Sequence, residues 1–151
     1  MEEVRYRPIG VVHSPFLAED HIPPRRLDRR GVEGTVELFP EYTEGLRDLE
    51  GFSHVVLLCH LHLSAGYALA VKPPSDTVTH GVFATRSPRR PNPISLTVVR
   101  LRKIERNVLH VTDIDLVDGT PVLDIKPYFT AVPAEDAVTT GWMERLTRTA
   151  Q

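Results

Sequence analysis

Thirteen prolines and nine glycines cut the sequence into short segments. Proline fixes φ and removes a backbone donor, and glycine weakens any helix or strand that contains it, so this spacing leaves little room for long helices. What remains between the breaks is mainly β-branched and alternating. Phe52–Leu63 is the strongest strand candidate. Its odd positions, Val55, Leu57, Cys59, Leu61 and Leu63, are all apolar, while His54, Val56, Leu58, His60 and His62 share the other face. Tyr6–His13, Gly34–Phe39, His80–Thr85, Pro93–Ile104, Val108–Val117 and Pro121–Ile125 are further strand candidates, and Ala65–Val71 is a weaker apolar stretch ended by Pro73-Pro74. Glu105-Arg106-Asn107 predicts a hairpin connection and Asp118-Gly119 a turn. Only Tyr42–Leu49 and, weakly, Ala134–Arg148 have helical spacing. Short strands with frequent turn signals predict a sandwich or a barrel. The lack of a long helix between strands argues against a doubly wound sheet. The expected fold is mostly β: a single small domain over residues 1–151, with short helices and a weakly helical C-terminus.

Composition narrows the setting. The one cysteine, Cys59, cannot form an internal disulfide, which predicts a reducing, cytoplasmic environment. The N-terminus has no apolar signal region, and no apolar run approaches the roughly 20 residues that span a bilayer, so no membrane association is expected. The net charge of −2 hides an uneven distribution. Arginines 25, 26, 29 and 30 face one acid, Asp28, and residues 86–106 hold seven basic groups against Glu105. The acids gather at Glu37–Glu50 and Asp113–Asp124. A basic stripe on a near-neutral chain suits a phosphate-bearing partner; a solvated, salt-bridged surface is the plainer alternative.

Two stretches carry chemistry. In Thr85-Arg86-Ser87-Pro88-Arg89-Arg90-Pro91-Asn92-Pro93, three prolines hold three arginines and an asparagine on a loop that is stiff before any ligand arrives. Guanidinium groups pair with carboxylate or phosphate bidentately, so the loop predicts an anion or nucleotide site. From Asp113 to Tyr128, the acids Asp113, Asp115 and Asp124 alternate with apolar residues and need partners. The arginine loop is the natural candidate, and both a ligand-binding role and a structural salt-bridge network are open. His60 and His62 have the spacing of a metal pair, but no third ligand accompanies them, so no metal is expected. Dinucleotide, P-loop and nucleophile-elbow motifs are absent, and Cys59 sits on the apolar side of its strand as packing. On the residues alone, this is a β protein with a rigid Arg/Asn loop near a carboxylate-rich hairpin, without a reaction.

Four ordered blocks add to this: IGVVHSPF at residues 9–16, LEGFSH at 49–54, GVFATRSPRRPNP at 81–93 and DGTPVLDIKPY at 118–128. They resemble the TrmO/YaeB family. The resemblance implies a β-barrel methyltransferase that uses S-adenosylmethionine without a dinucleotide-type fold. It implies a homodimer with the cofactor near the subunit interface. The implied substrate is the threonylcarbamoyl-adenosine beside the anticodon of threonine tRNAs, methylated on its exocyclic amine. Carried over residue by residue, the cofactor contacts are Arg26, Leu27, Asp28, Arg29, His62, Leu63, Arg86, Leu96, Asp115, Leu116, Val117 and Asp118. Asn92, Asp118 and Tyr128 are the candidates to position the base, with stacking on Tyr128 or Phe129. This sequence departs from the family pattern in having Pro24-Arg25-Arg26 for Pro-Arg-Gln, Ser95 for glycine and Val56 for tryptophan, and it is expected to lack the C-terminal extension of many members. A methyltransferase for a small molecule or another modified nucleotide, and a non-catalytic nucleotide-binding module, are the alternatives.

Overall fold

The computed structural model describes residues 1–24, 26–130 and 132–148, with the side chains of residues 26, 27, 147 and 148 outside it. Among the described residues there are eight strands: β1 (Gly10–His13), β2 (Glu33–Leu38), β3 (His54–His60), β4 (Ala70–Val71), β5 (His80–Gly81), β6 (Ile94–Glu105), β7 (Val108–Thr112) and β8 (Pro121–Pro127). Six of them close into an antiparallel barrel in the order β1-β2-β7-β6-β3-β8, and β4 pairs with β5 outside it.

The barrel is built around β3. Val55, Leu57 and Cys59 are fully buried on its inner face. Opposite them β6 supplies Val99, Thr97 and Ser95, while β8 supplies Ile125 and, past a bulge after Leu58, Val122. The inner face is completed by Val12, Val36, Leu109 and Val111. At an average of about 25 cal/mol per Å² of apolar surface, alternating residues of this kind supply the main driving force for closure. Gly10 has a steric role: a Cβ there would lie 2.3 Å from the Glu37 carbonyl oxygen of β2.

Several elements are shorter than their apolar patterns. The run at 52–63 ends as strand at His60, since the Leu61 N–H bonds Pro93 O and the chain then turns, leaving Leu63 half exposed. The run at 108–117 stops at Thr112 because Asp113 turns the backbone with φ 69°. Ile114, Leu116 and Val117 beyond it are still buried, so they plug the barrel without forming a ladder. At the N-terminus the strand starts at Gly10 rather than at Tyr6; Pro8 has no N–H to offer a ladder. The 42–49 segment is 3-10 rather than α, as Pro40–Leu46 and Leu49–Gly51 broken by Asp48 at φ 67°. The 80–85 strand is only β5, followed by a 3-10 turn at Val82–Ala84. Among the described C-terminal residues, only Gly141–Met143 (3-10) and α1 (Glu144–Arg148) are helical. No described helix is long and apolar enough to cross a membrane.

Strand direction decides what the two rims carry. β1, β3 and β7 run one way and β2, β6 and β8 the other. The connections 14–32, 61–93 and 113–120 therefore share one rim. The opposite rim holds residues 39–53, the two-residue Arg106-Asn107 turn and the exit from β8.

Candidate functional site

Every cofactor contact implied by the family resemblance falls on these three connections of one rim, apart from Leu96, at the adjoining start of β6. The 61–93 connection is folded back on itself. Ser64 Oγ donates to Pro88 O at 2.9 Å, Ala68 N–H to Arg89 O at 3.3 Å and Val82 N–H to Leu69 O at 2.9 Å. Inside the arginine loop, Arg90 Nη1 donates to Thr85 O at 3.1 Å and to Ser87 O at 3.3 Å. The Asn92 carbonyl accepts from Ile94 N–H at 2.7 Å. Arg90 is thus an internal pin, while Arg86 and Arg89 are exposed on a loop held by its own hydrogen bonds.

The aspartates of the 113–120 connection are also tied, but not to that loop. Asp113 Oδ1 accepts from Gly31 N–H at 2.7 Å. Asp118 Oδ1 accepts from Ser14 N–H at 3.0 Å, and Asp118 N–H donates to Phe16 O at 2.7 Å. Asp115 accepts from Thr97 Oγ1 at 2.8 Å through one oxygen and faces Arg29 Nη1 at 3.3 Å with the other. For Asp113, Asp115 and Asp124, the partners expected from arginines 86–90 are instead the Gly31 N–H, Thr97 with Arg29, and Lys126. Asp124 lies on the barrel wall, paired with Lys126 at 2.9 Å.

Arg29, His62, Leu63, Arg86, Asn92, Leu96, Asp115 and Asp118 therefore share one end of the molecule, with exposed Asp28 in the 3-10 turn Arg26–Arg29 beside them. The side chains of Arg26 and Leu27 lie outside the described residues. Leu116 and Val117 turn their side chains into the core, and their carbonyls accept from Ser14 Oγ and Thr120 Oγ1 respectively, both at 2.6 Å. Tyr128 is not with the others. Its N–H bonds His54 O, and its ring meets the His54 ring edge-on at 6.2 Å, at the start of β3. The length of β8, about 20 Å at a strand's rise per residue, separates Tyr128 and Phe129 from Asp118 within one chain.

Residues missed by sequence reasoning complete this end. Thr97, nearly buried, positions Asp115. His13 lies between Glu37 at 3.0 Å and Asp118 at 3.7 Å. A threonine at an inward, otherwise apolar position of β6 was the available signal for the first. Cys59, deeper in the barrel, is no nucleophile: burial pushes its thiol up to about 12, the adjacent Ser95 hydroxyl lowers it slightly, and the Asp115 charge adds to the rise. Two cavities open elsewhere, one of about 510 Å³ at the opposite rim between Leu38, Leu46 and Ile125, and one of about 410 Å³ beside His80 and Trp142.

The family model described as the tRNA-methyltransferase O N-terminal domain matches residues 11–134. The chain belongs to the TrmO family. Among relatives of this TrmO-family chain, a probable S-adenosyl-L-methionine-binding protein of Pyrococcus abyssi is 48% identical over 140 residues, covering 93% of this chain and 76% of the relative. The tRNA (adenine(37)-N6)-methyltransferase of Escherichia coli is 36% identical over 138 residues, covering 85% of this chain and 59% of the enzyme. A crystal structure of TrmO from Pseudomonas aeruginosa superposes with a TM-score of 0.76 at 38% identity, covering 93% of this chain and 63% of that one. The chain thus spans about three fifths of the bacterial members it matches.

Proposed function

We propose that the chain is an S-adenosylmethionine-dependent methyltransferase acting on the exocyclic amine of threonylcarbamoyl-adenosine beside the tRNA anticodon, in threonine tRNAs. One observation carries the reading: the stiff arginine loop and the aspartate-bearing connection, far apart in sequence, lie on the same barrel rim as the Arg26–Arg29 turn. The relatives named as S-adenosylmethionine-binding proteins and as tRNA adenine methyltransferases support both halves of it.

The donor set suits that cofactor. An exposed guanidinium at Arg86 offers a fork to an amino-acid carboxylate. The Asp115 carboxylate, about a quarter exposed, offers negative charge to a sulfonium. When bound, the cofactor supplies an electrophilic methyl group. The chain's own contribution is chiefly positional, holding acceptor and donor in near-attack geometry on loops that are fixed beforehand. Asn92 and Asp118, both at the rim, can accept the N–H of the target amine and raise its nucleophilicity. Tyr128 can serve only across a subunit boundary.

The outer wall favours such a boundary. Val56 and Leu58 of β3 and Ile94, Leu96 and Val98 of β6 face outward side by side, with Ile94 41% and Leu96 50% exposed. A second copy of the chain covering this strip would form the homodimer and bring another subunit's surface next to the rim.

Incubation with methyl-labelled S-adenosylmethionine and total tRNA tests the reading, with label expected in threonine tRNAs. Label in a metabolite extract but not in RNA would move the assignment to a small-molecule methyltransferase. Cofactor binding without transfer to any RNA or metabolite would leave a nucleotide-binding module.

A further inference from the structure

Away from the rim contacts described above, Asp76, His80, Trp142 and Arg145 form a compact cluster between the β5 limb and the C-terminal turn. His80 Nε2 and Asp76 Oδ2 are 2.8 Å apart, with side-chain exposures of 14% and 6%. Asp76 Oδ1 accepts from Thr77 N–H at 2.7 Å and Val78 N–H at 3.3 Å, and the Arg145 guanidinium pairs with Oδ2. The Trp142 indole stacks on the His80 ring, centroids 4.2 Å apart and planes within 16°. Its Nε1–H then donates to Ala84 O at 2.8 Å.

Ala84 lies two residues before Arg86. Apart from the cluster, the 80–84 limb is held by the two-residue pairing of β5 with β4, the Val82 N–H bond to Leu69 O and the buried Val82 side chain, while Phe83 is 76% exposed. An ion pair, a ring stack and a hydrogen bond from one distant segment therefore converge on the limb that delivers the arginine loop. A nearly buried carboxylate is costly unless partnered, and here its partners draw 141–145 onto 76–84.

We propose that Trp142, with Arg145, Asp76 and His80, positions Arg86: the cluster clamps the 80–84 limb and fixes where the arginine loop presents its guanidinium. The proposal rests on the reading that Arg86 meets the cofactor. In this proposal the four residues are positioning residues. They act through the loop, by limiting the freedom it would lose on binding.

Trp142 is the sole tryptophan, so its fluorescence reports the clamp directly. Three variants of the full chain test it: Asp76→Asn, Trp142→Ala and Trp142→Phe, the last keeping the stack and losing the N–H donor. In Asp76→Asn, acrylamide should reach Trp142 more readily. In Asp76→Asn and Trp142→Ala, amides of residues 82–90 should exchange faster while those of β3 and β6 do not. Affinity for S-adenosylmethionine, titrated by calorimetry, should fall about three- to thirtyfold in both, with Trp142→Phe intermediate, as expected when preorganisation is lost and contacts are kept. Unchanged affinity alongside faster 82–90 exchange would overturn the proposal, and so would unchanged exchange. If Arg86→Ala itself leaves affinity unaltered, the functional reading falls first, and the clamp loses its purpose with it.

Discussion

Arg86 and Arg90 stand four positions apart in one loop and do opposite work. Arg90 spends its guanidinium on the Thr85 and Ser87 carbonyls, so its loss would loosen the loop. Arg86 is exposed and makes no such internal bond among the described contacts, so its loss should be felt by a ligand. Arg86→Ala is expected to weaken S-adenosylmethionine binding by about 1.5–3 kcal/mol, the worth of a charge-assisted contact, with an unchanged melting midpoint; calorimetry and a thermal melt check the two halves. Asp115→Ala should instead cost stability. It strands the Thr97 hydroxyl, 7% exposed, without its acceptor and removes the Arg29 ion pair. An unfolding free energy, from urea titration, lowered by about 1–3 kcal/mol is expected. Sequence alone showed that Asp115 needed a partner, because an acid among Ile114 and Leu116 is costly. It pointed to the wrong arginines, because a carboxylate advertises its need for charge but not which distant turn the fold will bring within reach.

At the scale of elements, period-two patterning identified β3 and its inner face, since Val55, Leu57 and Cys59 are buried through it. The same signal overran at 113–117. A buried apolar residue looks alike whether a ladder or a plug buries it, and only the left-handed turn at Asp113 separates the cases. The C-terminal turn was barely visible for a related reason: its attachment comes from Asp76 and His80, some 60 residues upstream, and not from its own periodicity. This attachment has a definite acid response. The hydrogen bond with His80, then those from the Val78 N–H, Arg145 and the Thr77 N–H, hold the Asp76 carboxyl at about 2 against its ordinary 3.8, despite partial burial. A carboxyl depressed by folding favours the folded state when ionised. Its contribution is complete above pH 4 and fades as pH falls toward 2. Trp142 emission should accordingly change over that acid range in the wild type, and the change should be absent in Asp76→Asn.

For the molecule as a whole, closure was what local patterns could not decide. A sandwich and a barrel use the same short alternating strands; here the difference is one pairing, β1 with β8, between residues more than 100 positions apart. Closure also leaves the barrel without strand edges through which copies could associate, so the proposed dimer would have to form through the outward apolar strip of β3 and β6. A stable dimer buries on the order of 1,200–2,000 Å² in total, which makes a charge at the centre of the strip disruptive. Leu58→Glu, which would face Asp124 across β3 and β8, should sediment as a monomer while keeping the β signature of the wild-type circular dichroism spectrum. A wild-type chain that sediments as a monomer at micromolar concentration would remove the dimer.

The sharing of one rim by the connections 14–32, 61–93 and 113–120 has an evolutionary corollary. Each begins and ends on strands whose register is locked by neighbours on both sides, so residues can be inserted or deleted there without shifting a single rung of the wall. The Arg106-Asn107 corner has no such latitude, since Arg106 at φ 56° and the Asn107 amide bonded to Leu38 O fix it at two residues. Lineages that recognise different nucleotides with this scaffold should therefore vary in length on the one face and keep the corner constant.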